Sequence, residues 1–246
     1  MKTMNDKPLK EWSQQERIQV VKGIFSTITP HYDRMNRILS ARRDVSWRRF
    51  MIRRIPANAL EVLDVATGTG DVVIDIAKLR PDIKVTGIDF VKEMLDLAVE
   101  KTKNKTPEAK IDYVLGDAME LPFEDNRFDV ATIAFGMRNI PGKLGALLEM
   151  ARVVKPGGKL MVLEMTFPRN IRLRRFFHWY LNNTLPVLGK VIARNRDAYN
   201  YLSESIQDFL HPDELTSLFE EAGLKDTKEY PLTLGITYLH EGIISS

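Results

Sequence analysis

Cysteine is absent from this chain of 246 residues, which excludes disulfide bonds, thiolate catalysis and cysteine-ligated metals. No stretch approaches the ~20 consecutive apolar residues that a membrane-spanning helix needs. The first residues, MKTMNDKPLKEW, have no apolar core of the kind found in signal peptides. The charge is close to balance, with 36 Lys and Arg against 33 Asp and Glu, and does not indicate a nucleic-acid partner. We therefore expect a cytoplasmic protein with a single domain over residues 1–246.

A glycine-rich turn, LDVATGTGD at Leu63–Asp71, is the most informative feature that is present. A strand-like run enters this turn, and a helical pattern follows it over Val72–Leu79. Gly68 and Gly70 allow a tight turn whose backbone N–H groups approach a ligand, and the following helix N-terminus favours electronegative groups. A carboxylate about 20 residues further on, here Asp89, can accept both hydroxyls of a ribose. The pattern predicts a nucleoside-binding pocket at the carboxyl ends of parallel strands.

Residues around the turn narrow the choice of nucleoside. A dinucleotide site needs a small residue where this chain has Val73, and a phosphate loop needs Lys where it has Asp71. Asp64 and Asp71 would repel a phosphate and suit a cation such as S-adenosylmethionine. An ordinary glycine turn between a strand and a helix is the alternative. Asp89 and Asp117, each after an apolar run, favour the cofactor. The spacing D-x-x-x-G-x-G resembles the first motif of class I S-adenosylmethionine-dependent methyltransferases.

Strand and helix patterns alternate through the middle of the chain, which indicates a parallel sheet covered by helices on both faces. The predicted strands cover 60–66, 84–89, 110–115, 128–135, 159–165, 225–230 and 233–244. The predicted helices cover 14–28, 71–79, 91–103, 143–154 and 212–222. The expected fold class is α/β: a Rossmann-like, mostly parallel sheet of seven strands, as in class I methyltransferases.

Two regions lie outside this alternation. Residues 1–56 are expected to form a helical lid region, and residues 167–210 a helical insert near the substrate. Within the insert, apolar side chains recur at helical spacing over 169–194, with arginines on the other face. Such a stripe fits protein core or a dimer contact. It also fits a tunnel for an isoprenoid tail, or a membrane surface.

Motifs outside the turn make one resemblance specific. They are Tyr32-Asp33, Met35-Asn36, Ser40 and Trp47-Arg48, FGMRNIP at 135–141, RVVKPGG at 152–158, LEM at 163–165, LPVLGK at 185–190 and YNYLSESI at 199–206. Over residues 17–244 the chain resembles the ubiquinone/menaquinone biosynthesis C-methyltransferase family. It departs from the family pattern at Met165-Thr166, where Phe-Ser is usual, and at Arg42, where Gly is common.

The resemblance implies a set of cofactor-binding residues. They are Asp64, Gly68, Thr69, Gly70, Asp89, Asp117 and Ala118. Asp89 would accept hydrogen bonds from the ribose hydroxyls, and Asp117 would accept a hydrogen bond from the adenine amino group. Asp64 would orient the turn or meet the ammonium group. Asp117 could instead, or as well, be the N-cap of a short helix.

The resemblance also implies methyl transfer to a ring carbon of a prenylated quinol, most directly demethylmenaquinol to give menaquinol. Arg138 and Asn139 are the implied catalytic residues, because a cation beside a quinol oxygen favours the electron-rich phenolate. Their structural alternatives are an ion pair with a surface carboxylate for Arg138 and a helix cap for Asn139. Implied substrate contacts are Tyr199, Tyr201 and Ser205, with ordinary helix packing as the alternative.

The expected partners are the quinol, a peripheral contact at the inner face of the membrane, and a second copy in a homodimer. No metal is expected, since the four histidines lack metal-ligand spacing. Alternative functions are benzoquinol methylation in ubiquinone biosynthesis and methylation of another aromatic or isoprenoid metabolite. A non-catalytic cofactor-binding subunit is the alternative from a different class.

Overall fold

Alternating strands and helices form the centre of the molecule, as the sequence pattern predicts. The structure is a computed structural model that describes residues 13–29, 33, 36–37, 40–184 and 196–245. Its strands are β1 (Glu61–Val65), β2 (Lys84–Asp89), β3 (Ile111–Leu115), β4 (Phe128–Ala134), β5 (Val154–Met165), β6 (Leu224–Leu232) and β7 (Thr237–Ile244). Its α-helices are α1 (Gln14–Ile28), α2 (Arg43–Ile52), α3 (Asp71–Leu79), α4 (Lys92–Lys105), α5 (Lys143–Val153), α6 (Ile171–Trp179), α7 (Arg196–Gln207) and α8 (Pro212–Glu221). A 3-10 turn at Met137–Asn139 follows β4, and a π turn at Tyr180–Thr184 extends α6.

All of these strands belong to one sheet, in the order β3-β2-β1-β4-β5-β7-β6. β1 to β5 are parallel, whereas β7 is antiparallel to both β5 and β6. The strand order reverses between β1 and β4, and ligands of doubly wound sheets bind at such a reversal, outside the carboxyl ends of the strands. The expected fold class is confirmed, and the topology places the glycine-rich turn at this position.

Burial on both faces explains why the central strands are apolar runs rather than alternating ones. In β1, Val62 packs into a cluster with side chains of α2 and α3, and Leu63 packs into a second cluster with side chains of α5 and α8. A third, smaller cluster joins α1, α6 and α7 around Phe177 and Tyr201. Phe90, just after β2, packs against this third cluster. The three helices therefore lie at the carboxyl end of the sheet, where a ligand would bind.

Two predicted bounds in the second half of the chain were wrong. β5 begins at Val154 rather than 159, because Gly157 (φ 75°) and a shift of register form a bulge within the strand. Residues 233–235 form a 3-10 turn rather than the start of the last strand, with Leu234 at φ 60°. The predicted helices at 14–28 and 71–79 match α1 and α3. No helix in the described part of the chain has the length and apolar character needed to cross a bilayer.

Candidate active site

The turn after β1 keeps left-handed backbone conformations that its glycines make accessible. Ala66, Gly68 and Gly70 have φ angles of 51°, 55° and 77°. A Cβ atom at Gly70 would lie 2.5 Å from the Tyr113 hydroxyl and 3.0 Å from the Ala98 Cβ. A side chain at this position would therefore strain the backbone and also collide with β3 and α4.

Asp64 lies beneath this turn and is 1% exposed. The hydroxyls of Thr67 and Thr132 each donate a hydrogen bond of 2.7 Å to its carboxylate. Burial raises the pKa of Asp64 to about 7, although both hydroxyls oppose that shift. Because the carboxylate ties the turn to β4, these contacts support the turn-orienting role of Asp64.

Asp89 ends β2 and fixes the other side of the turn. Its Oδ2 accepts the Gly68 N–H at 2.8 Å, and its Oδ1 accepts the Val91 N–H at 2.9 Å. Burial raises the pKa of Asp89, while the backbone N–H groups act in the opposite direction. A carboxylate has about four lone-pair positions, so this one keeps acceptor capacity for a pair of ligand hydroxyls.

A cleft of about 840 Å³, here called the cofactor cleft, lies at the carboxyl ends of β1, β2 and β4. Four of the seven predicted cofactor-binding residues line it, namely Gly68, Asp89, Asp117 and Ala118, whereas Asp64, Thr69 and Gly70 are not among its lining residues. Asp117 is exposed, and its Oδ1 accepts the Met119 N–H at 2.9 Å. It therefore begins a turn rather than the helix considered as an alternative.

Helix α1, which belongs to the region 1–56 expected to form a lid, forms part of the same cleft. Ile18, Val21 and Phe25 line it, opposite the strand ends. Their spacing predicts an apolar helix face, but not what that face covers. Of the described residues before β1, those of α1 therefore line the cofactor cleft.

Asp71, at the start of α3, is surrounded by cationic side chains of the protein. Arg37, Arg48 and Lys101 place nitrogens 2.7, 3.4 and 2.8 Å from its carboxylate. Burial alone would raise the pKa of Asp71, but Arg48 and Lys101 lower it to about 2. The interpretation of Asp71 as an attractor of a cationic ligand is not supported, because its charge is already compensated.

Thr69 is not among the residues that line the cofactor cleft, and its hydroxyl is bound to other side chains of the protein. The hydroxyl donates to Asp33 at 2.5 Å, and Lys101 Nζ lies 3.0 Å from the same oxygen. Lys101 also donates to Asp33 at 2.5 Å. The residues before α2 are thereby linked to the predicted cofactor turn, and no sequence signal marks Lys101 for this position.

A second cavity of about 600 Å³, here called the amphipathic cavity, adjoins the first, and Phe135 lines both. Its polar lining consists of Asn36, Ser40, Asp44, Arg48 and Arg138. Its remaining lining consists of Trp47, Phe135, Met165, Tyr180, Leu181, Leu202 and Ile206. A cavity with an apolar wall and a polar end formed by ion-paired side chains suits a ligand of mixed polarity.

The wall between the two cavities is built at the end of β4. Phe135 has a φ of 61°, and a Cβ on Gly136 would lie 2.6 Å from the Ala66 Cβ. The turns after β1 and β4 are therefore in close contact. Non-glycine residues in left-handed conformations cluster at functional sites, where the surrounding structure holds them.

Arg138 is 5% exposed and lies in the 3-10 turn that follows this wall. Its guanidinium pairs with Glu164 at the end of β5, which is 1% exposed. The backbone N–H groups of Arg138 and Met165 also donate to that carboxylate, at 3.1 and 2.9 Å. The ion pair proposed as the alternative thus exists, but with a buried carboxylate beside the amphipathic cavity rather than a surface one.

Asn139 lines the cofactor cleft and accepts a hydrogen bond of 3.0 Å from the Tyr201 hydroxyl. The N-cap of α5 is Gly142, with no side-chain cap, so Asn139 does not cap that helix. Tyr201 is 3% exposed. This contact connects the predicted catalytic turn with the helical insert.

Of the two remaining predicted substrate residues, Ser205 is not among the residues that line either cavity. Ser205 is fully buried, and its hydroxyl donates to the Leu202 carbonyl at 3.0 Å within α7. Tyr199 belongs to α7, but its side chain lies outside the described residues, as does the motif at 185–190. Among the residues that the structure describes, no group of His, Asp and Glu is arranged to hold a metal ion.

Comparison with known sequences assigns the chain to one family. The sequence profile of the ubiE/COQ5 methyltransferase family matches residues 11–244. A ubiquinone/menaquinone biosynthesis C-methyltransferase UbiE of Geotalea daltonii is 39% identical over 229 residues, which cover 92% of this chain and 97% of the relative. A demethylmenaquinone methyltransferase of Bacillus licheniformis is 40% identical over 231 residues, which cover 93% of this chain and 98% of the relative.

Comparison with solved structures supports the fold. An S-adenosylmethionine-dependent methyltransferase of Thermotoga maritima superposes with a TM-score of 0.64 at 18% identity, over 91% of this chain and 99% of that protein. Phosphoethanolamine N-methyltransferase 2 of Haemonchus contortus, solved with S-adenosyl-L-methionine, gives 0.62 at 15% identity, over 82% and 52%. At these identities the similarity concerns the fold alone.

Proposed function

This chain belongs to the ubiE/COQ5 methyltransferase family, and from that premise we propose that it methylates a ring carbon of a prenylated quinol, with S-adenosylmethionine as methyl donor. The reaction that we propose first is the conversion of demethylmenaquinol to menaquinol, in line with the name of the Bacillus licheniformis relative. One observation carries the proposal. The cofactor cleft and the amphipathic cavity share a single wall at Phe135, so that a donor and an amphiphilic acceptor can be held side by side.

The cofactor cleft contains the groups that this donor requires. Asp89 would accept the ribose hydroxyls, since its carboxylate is held in place by two backbone N–H groups. Asp117 and Ala118 would contact the adenine, and Gly68 would contact the methionine part of the cofactor. When bound, S-adenosylmethionine supplies a methyl group activated by its positively charged sulfur. Asp64 and Thr69 would stabilise the conformation of the turn through their hydrogen bonds to other parts of the protein.

We place the quinol ring in the amphipathic cavity, with one oxygen towards Arg138. A cation beside that oxygen lowers its pKa, and the resulting phenolate raises electron density at the neighbouring ring carbon. Glu164 fixes the guanidinium in advance, so little reorganisation is needed during reaction. Leu202 and Ile206 line the same cavity and make its surroundings less polar, which would strengthen the electrostatic effect.

The two regions outside the sheet have roles in this proposal. The N-terminal region, residues 1–56, would act as a lid, because α1 lines the cofactor cleft. The insert at 167–210 would enclose the acceptor, because Tyr180, Leu181 and Leu202 line the amphipathic cavity. We place the reaction at the inner face of the membrane, since a prenylated quinol partitions into lipid.

The redox state of the acceptor gives a direct test. Purified protein should methylate a demethylmenaquinone analogue when dithionite keeps it reduced, with one methyl group added to the ring by mass spectrometry. The oxidised quinone lacks the electron density needed at carbon, so equal rates with rigorously oxidised substrate would contradict the mechanism. Turnover of a benzoquinol but not the naphthoquinol would reassign the substrate. Tight cofactor binding without any turnover would indicate a non-catalytic subunit.

A further inference from the structure

Large apolar side chains are exposed together on helix α6. Ile171, Phe176 and Trp179 are 56%, 64% and 55% exposed. The rings of Phe176 and Trp179 are stacked, with centroids 6.1 Å apart. Elsewhere in the described part of the chain, comparably exposed apolar residues lie on separate segments: Leu60, Leu79, Val99, Leu115, Leu148 and Leu234. Single residues of that kind are ordinary on protein surfaces, whereas a contiguous group marks an interaction site.

The same part of the chain carries positive charge only. Between Glu164 and Asp197 the sequence has no Asp or Glu, while Arg and Lys occur at 169, 172, 174, 175, 190, 194 and 196. Arg172 and Arg175 are exposed on α6, beside the apolar side chains. Exposed aromatic rings flanked by arginines match the interfacial region of a bilayer that contains anionic lipids.

A second copy of this chain fits the same surface poorly. In a two-fold symmetric dimer each patch meets its own copy, so Arg172 and Arg175 would face the arginines of the partner. No carboxylate on α6 could compensate them. An anionic membrane surface, in contrast, compensates this charge and accepts the rings.

We propose that this docking face, formed by Ile171, Arg172, Arg175, Phe176 and Trp179, binds the surface of an anionic lipid bilayer. The residues that follow this helix support a connection between the docking face and the proposed binding site of the acceptor. Beyond the helix, Tyr180 and Leu181 of the π turn line the amphipathic cavity. One layer of helix thus separates the docked surface from the place assigned to the quinol. The transfer of substrate across that layer rests on the proposed function, but the docking itself does not.

Vesicle binding tests the docking. The full chain should co-sediment with phosphatidylcholine vesicles that contain phosphatidylglycerol, and far less with phosphatidylcholine alone. Arg172→Gln with Arg175→Gln should weaken binding by about 30-fold, since each basic residue near an anionic surface contributes about 1 kcal/mol. Phe176→Ala with Trp179→Ala should also weaken it by at least about tenfold. A matched control, Leu115→Ala with Leu148→Ala, removes two exposed apolar side chains elsewhere and should leave binding unchanged.

Tryptophan fluorescence locates the contact. The chain has three tryptophans, and Trp179 is 55% exposed, whereas Trp47 is only 5% exposed. Addition of anionic vesicles should shift the emission to shorter wavelength, and brominated lipids should quench it. Trp179→Phe should lose both signals and still bind, because an aromatic ring remains. Unchanged signals in this variant would overturn the proposal.

The outcomes for docking and for the proposed function are distinguishable. Docking variants should keep wild-type turnover of a short-chain, water-soluble quinol and lose turnover of a long-chain quinol embedded in vesicles. If the arginine and the aromatic double variants both bind vesicles as well as the wild type does, the docking face is refuted, whatever the activity. The docking face would also be refuted if the chain dimerises without lipid and Phe176→Ala with Trp179→Ala abolishes that dimer. The surface would then bind a second copy of the chain. Vesicle binding without methylation would instead retain the docking and remove the proposed function.

Discussion

The buried pair of Arg138 and Glu164 allows a catalytic role of the arginine to be separated from a structural one. Arg138→Met leaves Glu164, 1% exposed, beside an apolar side chain. Loss of one partner of a buried ion pair costs about 3–5 kcal/mol, so we expect that loss in the free energy of unfolding. Adding Glu164→Gln removes the buried charge and keeps an oxygen for the backbone N–H groups of Arg138 and Met165. The double variant should recover most of the stability.

Recovery of stability should not bring recovery of the reaction. Removal of one preorganised electrostatic contact lowers a rate by about 10²–10³, and both variants lack the guanidinium at 138. Single-turnover assays with reduced substrate and saturating cofactor should show this loss, while calorimetry should show cofactor affinity close to wild type. Arg138→Lys should restore part of the rate, because an ammonium keeps the charge but not the planar fork.

Urea denaturation and the single-turnover rate must be measured on the same preparations. If the double variant regains both stability and rate, the reasoning fails, and Arg138 only balances Glu164. If Glu164→Gln alone slows the reaction and shifts its pH profile, the carboxylate acts as a positioning residue for the guanidinium.

Three further expectations concern carboxylates around the turn. Asp89→Ala should weaken S-adenosylmethionine binding by roughly 1–3 kcal/mol, since ribose hydroxyls and the Gly68 N–H lose an acceptor; unchanged affinity by calorimetry would remove the ribose assignment. Burial holds the pKa of Asp64 at about 7 in the folded chain, against an ordinary value of 3.8, so this group makes the free energy of unfolding fall as pH rises between those values. Asp64→Asn should flatten that slope in urea titrations, and an unaltered slope would contradict it. Lys101→Met should lower the free energy of unfolding at neutral pH by about 2 kcal/mol. Burial alone would raise the pKa of Asp71, but Arg48 and Lys101 lower it to about 2, and this variant removes one of these two cations. That deficit should vanish as pH falls from 3.8 towards 2, where Asp71 becomes protonated and its stabilising contribution is lost; a pH-independent deficit would argue against the ion pair as its cause.

The parts of the fold that could be predicted are those with local causes. The turn after β1 could be predicted from adjacent residues. Gly68 and Gly70 readily adopt left-handed conformations, and the apolar run of β1 indicates a buried strand. Asp89 follows from the regular length of a strand–turn–helix–strand unit, which returns the chain to the same edge of the sheet. The helical pattern of residues 14–28 likewise predicted α1.

The parts that could not be predicted depend on contacts between distant segments. Glu164 was visible only as part of a motif, and its pairing with Arg138 needs β4 and β5 to be adjacent in the sheet. Lys101 looks like any lysine of an exposed helix until Asp33 and Asp71 are placed around it. The pattern of α7 gave no means of telling Tyr201, which reaches Asn139, from Ser205, which turns to its own helix.

Helix α1 lines the cofactor cleft and packs against residues that line the amphipathic cavity, and this has a thermodynamic consequence. Val21 lines the cofactor cleft and also packs in one cluster with Leu181 and Ile206, which line the amphipathic cavity. A ligand that steadies this helix from one side reduces the ordering entropy that the other ligand must still overcome. Linkage requires the effect to be mutual, so that the acceptor tightens the donor by the same factor as the donor tightens the acceptor. We therefore expect the two pockets, which share Phe135 in their walls, to bind their ligands cooperatively.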